Sequence, residues 1–198
     1  MTKAFDLPAI ERFWTKACKA KRLDRERHHY PWRFADSLSD GNLGLTTNLL
    51  ELVRTGRKRG TCPCRLDFEH RPDRPMPKAG DYWVVTGSDG KPSCVVEVEK
   101  VEEKAFCDVG EDFAQREGEA DSSFDYWYGM HFWWVRKVYK THGVPWTEKA
   151  PLILIYFNLV YPPPKTQGAR RKAPARRKRA TMKHRRAPAR KTARRRRA

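Results

Sequence analysis

The 198-residue chain has no run approaching the roughly 18 consecutive apolar residues of a membrane span, and its N-terminal segment lacks the apolar stretch of a secretory leader. Neither a membrane partner nor export is expected. Cysteines spaced for a structural metal are missing too. The five, an odd number, fall at 18, 62, 64, 94 and 107, with no C-x-x-C and no matching Cys/His pair. Cys62 and Cys64 lie one residue apart and would share a strand face, the one place where two thiols converge. Reduced, partly buried thiols of an intracellular protein are expected instead, with no metal and no cofactor. Acidic residues are absent from 165–198, a segment that holds 17 of the 42 lysines and arginines and leaves 25 against 24 Asp and Glu for the rest. The formal charge of +18 is therefore a property of the tail, and the body is near neutral.

What the body does contain is organised around residues 49–61. Leu45, Leu49, Leu52 and Val53 fall at i, i+4, i+7 and i+8, one apolar stripe of a helix. Gly56 is placed to take the left-handed conformation that closes it. Arg57, Lys58 and Arg59 then set three cations beside the helix's last carbonyls, which the helix dipole favours. A lysine, a glycine and a threonine (Lys58, Gly60, Thr61) at the start of a strand also make a pocket edge, with Gly60 admitting a ligand close to the backbone.

The other elements follow from spacing. Asp6 caps a helix with Pro8 in its first turn and Ile10, Phe13, Trp14, Ala17 and Cys18 on one face. Residues 24–42 read as a polar, irregular loop in which His28 and His29 are solvated. Residues 61–68 read as a strand that Pro63 demotes to an edge or a bulge. Residues 82–86 and 94–101 form a hairpin about the turn 88–91. A short helix over 109–117 stops at Gly118, and a longer one, capped by Ser122 or Ser123, runs to Gly143 with Phe124, Trp127, Tyr128, His131, Trp134, Val135 and Val138 on one core-facing stripe. Residues 152–161 are a buried strand, ended by three prolines. This order predicts an α+β fold, a small mixed β-barrel with flanking helices.

Three blocks, Gly56-Arg57-Lys58-Arg59-Gly60-Thr61, Pro77-Lys78-Ala79-Gly80-Asp81-Tyr82, and Phe113 to Asp121 with Trp127 and His131 after it, resemble the ASCH domain in wording and order. The longer bacterial-type branch is the nearest in pattern. The resemblance implies a PUA-like fold over 1–161 with a cleft at one side, and work on nucleic acid or nucleosides. Members of the family are described as RNA-binding modules, as an acetylcytidine amidohydrolase and as a ribonuclease. The amidohydrolase pattern falls here on Lys58, Thr61 and Glu117. In that chemistry a desolvated lysine takes the threonine proton and the glutamate passes it to the leaving amine. Arg57 and Arg59 flank Lys58, and Cys-Pro-Cys follows Thr61, which departs from that branch. The alternative, and the favoured one, is that Lys58 and Glu117 pair across the cleft mouth and hold the barrel closed.

Residues 162–198 turn to Pro, Ala, Lys and Arg and bury too little to fold, so a disordered tail is expected. Arg170, Arg171, Lys172, Arg176, Arg177, Lys178, Arg179, Arg185, Arg186 and Arg194, Arg195, Arg196 and Arg197 are its candidate phosphate contacts, with Arg57, Lys58 and Arg59 on the body. The same clusters suit a nuclear address in a eukaryote, or cytoplasmic or nucleoid association in a bacterium. The expected function is RNA or other nucleic-acid binding, by cleft and tail together. The alternative is a hydrolase of a modified nucleoside, or a ribonuclease, using Lys58, Thr61 and Glu117. Oligomeric state leaves no mark in the sequence.

Overall fold

Strand β5 (Pro151–Tyr161) is the element on which the sheet of this computed structural model is built. The structure describes residues 3–35, 43–71 and 74–163. The long antiparallel partner of β5 is β4 (Pro92–Ala105), paired from Val95 opposite Tyr161 to Ala105 opposite Pro151. β4 turns back into β3 (Tyr82–Thr86) as the expected hairpin, and it runs past the predicted end at Val101. Two short strands complete the sheet among the described residues. β1 (His29–Trp32) lies parallel to β3, and β2 (Gly60–Thr61) lies antiparallel to β5, giving the order β1-β3-β4-β5-β2.

Both faces of β5 are covered, which is why its sequence is a continuous apolar run rather than an alternation. Leu152 and Leu154 pack with Phe106, Phe113, Trp127 and Val135 on one side, while Ile153, Ile155 and Phe157 pack with Leu49, Val53, Trp83 and Val85 on the other. A third cluster seats α1 (Leu7–Lys21) on the sheet through Ile10, Trp14 and Ala17 against Tyr82, Val84 and Val95. Asp6 caps α1 as expected, its carboxylate accepting from the Ala9 N–H at 3.0 Å.

The remaining helices position the cavity described below. α2 (Leu43–Arg54) ends where Gly56 adopts φ 73° and the Arg57 N–H returns to the Leu52 carbonyl at 2.9 Å. α4 (Glu111–Glu117) ends at Gly118, φ 64°. α5 (Phe124–Thr141) starts at Ser123, whose hydroxyl accepts from the Tyr126 N–H at 3.2 Å. No helix among the described residues is long and apolar enough to cross a membrane.

Two expectations are corrected. Residues 29–32 form strand β1 rather than irregular loop; Pro31 is tolerated because β1 is an edge strand, where no ladder donor is missed. Residues 61–68 do not form a strand beyond Thr61. Ile153 still donates to the Pro63 carbonyl at 2.9 Å, but the chain then turns into α3 (Arg65–Glu69). The Asp67 carboxylate accepts from the Cys64 N–H at 3.1 Å, starting a helix where an alternating pattern had suggested a strand.

Candidate functional site

Backbone alternation through residues 57–59 decides which cation enters the protein. Arg57 and Arg59 are exposed, and Lys58 between them is 1 % exposed. An ammonium this deeply buried needs paired charge, and it has two. Its Nζ lies 2.6 Å from Glu119 Oε1 and 3.1 Å from Glu117 Oε1. Gly118 brings both carboxylates to one lysine by turning the chain at the end of α4 against the backbone of Arg57.

Glu117 is the hub. Its second oxygen accepts from Trp127 Nε1 at 2.8 Å, lies 3.2 Å from His131 Nε2, and accepts a long contact from the Cys62 thiol at 3.8 Å. Trp127 and His131 are one helical turn apart on α5, their rings stacked 4.3 Å apart. His131 Nδ1 donates to the Trp127 carbonyl at 2.8 Å, so Nε2 is the nitrogen turned to Glu117.

These contacts set the charges. Burial would raise the Glu117 carboxyl, but the Lys58 ammonium and His131 outweigh it and hold it at about 2. Burial would likewise lower Lys58, and Glu117 and Glu119 instead push it up. His131 is raised for the same reason, against its burial, by Glu117. The Cys62 thiol is raised well above its usual value, by burial first and then by Glu117.

The cluster forms the floor of a cavity of about 350 Å³. Thr61, Cys62, Glu117, Glu119 and His131 are its polar face; Trp32, Phe34, Leu45 and Leu49 form one wall. The opposite wall is a stripe of α5, Tyr126, Met130, Trp133 and Lys137, with Trp134 beside it. Three of these large side chains face water, Tyr126 at 40 %, Met130 at 53 % and Trp133 at 70 % exposure. Arg74, its guanidinium 4.0 Å above the Trp32 ring, and Lys137 bring positive charge to the lining.

Of the expected site residues, the structure brings Lys58 and Glu117 into contact and puts Glu117 and Thr61 in the cavity lining, with Lys58 buried behind it. The pairing leaves Lys58 in the wrong state for a base, because desolvation does not lower it as that role requires. Arg57 and Arg59 stand outside the cavity lining; Arg57 donates to the Ala120 carbonyl and the Ser122 hydroxyl. The basic residues between Arg170 and Arg197 lie outside the described residues. His131 and Trp134 were expected in the core, and both line the cavity. What could have singled out His131 is its place one turn after Trp127, within reach of the Glu117-Gly118-Glu119 step. Cys62 contacts Glu117 and lines the cavity, while Cys64 starts α3.

The profile of the ASCH domain family matches residues 32–161, about two thirds of the chain. The chain belongs to the ASCH domain family. Its PUA-like fold, α+β with helices around a mixed sheet, is the one expected. Among solved structures, the chain is similar to an ASCH domain from Lactobacillus crispatus JV V101, with 26 % identity, TM-score 0.68, and coverage of 78 % of this chain and 96 % of that one. It is similar as well to a protein from Enterococcus faecalis V583, with 27 % identity, TM-score 0.64, and coverage of 78 % and 89 %. No match is found among the curated proteins.

Proposed function

We propose that this ASCH-domain protein binds single-stranded RNA, taking a base into the cavity between α2 and α5 while the basic tail holds the phosphate backbone. The observation that carries this reading is the cavity's make-up. Exposed Trp133 and half-buried Trp134 offer ring faces, Arg74 and Lys137 offer charge for phosphate, and Thr61 and Glu119 offer polar atoms to a base edge. Aromatic faces beside cations are what unpaired bases require, since stacking contributes on the order of 1–3 kcal/mol per base and tolerates any sequence. The tail adds affinity that carries no sequence information.

Hydrolysis by Lys58, Thr61 and Glu117 is the weaker reading. A lysine clamped by two carboxylates keeps its proton and has no lone pair to offer Thr61. The test is fluorescence anisotropy of the full chain with a labelled single-stranded RNA, its duplex and the same RNA competed by free nucleosides. Preference for the single strand, reduced by Trp133→Ala, supports the reading. Equal affinity for duplex and single strand, untouched by Trp133→Ala, would reduce the protein to a phosphate-binding tail.

A further inference from the structure

Between Cys62, Glu117 and His131 the chain presents a thiol sulfur, a carboxylate oxygen and an imidazole nitrogen whose donor atoms all lie within 4.8 Å of one another. We propose that these three residues form a binding site for a borderline-soft divalent metal ion of the zinc type, open on its fourth side to the cavity.

The edge lengths suit such an ion. Zinc bonds of about 2.0–2.2 Å to nitrogen and oxygen and about 2.3 Å to sulfur, spread tetrahedrally, place N and O roughly 3.3 Å apart and S and O roughly 3.6 Å apart. The observed separations are 3.2 Å between His131 Nε2 and Glu117 Oε2 and 3.8 Å between Cys62 Sγ and the same oxygen. On these two edges little movement is needed to admit the ion, and the third, from Cys62 Sγ to His131 Nε2, lies within 4.8 Å.

The orientation of the donors is already fixed from behind. His131 Nδ1 is spent on the Trp127 carbonyl, which leaves Nε2 to face the site, an arrangement typical of metal-bound histidine. Glu117 is steadied by Lys58 on one oxygen and by the Trp127 indole on the other. The three ligands come from three segments, the turn after β2, the end of α4 and the middle of α5, so the fold and not a local loop sets their spacing.

Charge agrees as well. A thiolate and a carboxylate bring two negative charges to one divalent ion, while the adjoining Lys58 and Glu119 cancel each other. Sulfur with imidazole and one carboxylate is the donor mixture that zinc and cobalt accept and magnesium and calcium do not. All three ligands line the cavity, so the ion has a route in and its fourth position faces the space where a ligand would sit. Three protein ligands and one open position is the pattern of a working metal, not of a closed structural one. The inference stands on the donor set and is independent of RNA binding.

The same atoms also make a complete hydrogen-bonded set, with a proton instead of a metal between Nε2 and Oε2, and cobalt distinguishes the two. The full chain, reduced and freed of metal by a chelator, is titrated with Co²⁺ and followed by absorption. One equivalent is expected to produce a thiolate-to-cobalt charge-transfer band in the near ultraviolet with the intense visible bands of tetrahedral cobalt, both removed by Zn²⁺. Cys62→Ser should abolish the charge-transfer band, His131→Gln should weaken cobalt binding at least tenfold, and Cys107→Ser, at an exposed thiol, should change neither. Zn²⁺ should raise the melting temperature of the wild type and of Cys107→Ser but not of Cys62→Ser. A wild-type chain that gives no charge-transfer band, or a band that survives Cys62→Ser, overturns the site.

Discussion

Lys58 Nζ sits 2.6 Å from Glu119 Oε1 and 3.1 Å from Glu117 Oε1, one buried ammonium shared by two carboxylates on either side of a glycine. The two partners differ in exposure, 2 % for the Glu117 side chain and 26 % for Glu119. Removing the lysine strands the buried one, and breaking a buried pair from one side typically costs about 3–5 kcal/mol. Lys58→Ala is therefore expected to lower unfolding free energy in urea by that order. Glu119→Gln should cost no more than about 1 kcal/mol, because Lys58 keeps Glu117 and the side chain at 119 is partly open to water. Equal losses in the two variants would contradict the burial of Glu117 as the controlling factor.

The same clamp predicts an absence of lysine-threonine chemistry. Chelator-treated full chain mixed with an acylated cytidine should release no product by chromatography, and Thr61→Ala should behave identically. Turnover that disappears in both Lys58→Ala and Thr61→Ala would require Lys58 to release its proton despite both carboxylates.

Trp133 gives a cleaner test of ligand binding than any floor residue, since at 70 % exposure its loss leaves the core intact. Trp133→Ala should leave the melting temperature within a degree or two and weaken single-stranded RNA about 5- to 100-fold, the equivalent of one stacked base. A change in melting temperature without a change in affinity would assign Trp133 to packing.

Gly118 holds φ 64°, and a methyl group there would meet the Arg57 carbonyl oxygen at 2.3 Å. Neither the left-handed backbone nor that contact suits alanine. Gly118→Ala should cost at least about 2 kcal/mol and should loosen the Glu117 and Glu119 clamp along with it. Differential scanning calorimetry on the variant reads the loss directly.

Tail and body separate by salt. If about eight tail charges engage phosphates, log affinity should fall against log salt with a slope near roughly minus 6 on single strands. Deleting 165–198 should leave a shallow slope and the Trp133 dependence intact. A slope unchanged by the deletion would move the phosphate contacts to the body.

Much of this architecture was legible in the sequence where one physical signal dominated. The helix stripe of Leu45, Leu49 and Val53 with Gly56 behind it, the Asp6 and Ser123 caps, and the apolar run of β5 all read correctly because local spacing and burial agree. Residues 29–32 did not, because an edge strand carrying a proline and opening on a histidine resembles a loop until its parallel neighbour is in place. Residues 65–69 did not because a cap supplied by Asp67 competes with an alternating pattern. The Lys58 and Glu117 pair was legible from the family blocks. That it would raise the lysine instead of lowering it depends on Glu119 arriving at the same ammonium, a three-dimensional fact. His131 and Trp134 lay on a stripe whose neighbours Trp127, Val135 and Val138 are core. The stripe alone does not separate a residue that borders the cavity from one that fills the core; for His131 the separating signal is its place one turn after Trp127.

Strand β2 is two residues long and holds to β5 at the sheet's edge through the pairs Gly60 with Tyr156 and Thr61 with Ile155. Lys58 precedes it and Cys62 follows it, so an ammonium and a thiol reach Glu117 from the two ends of one short rung. Main-chain bonds continue on both sides of that rung, Phe157 N–H to the Arg59 carbonyl at 3.0 Å and Ile153 N–H to the Pro63 carbonyl at 2.9 Å. The register of β2 on β5 therefore sets how the two groups stand on one carboxylate, and a slip of a single residue there would turn both away from it.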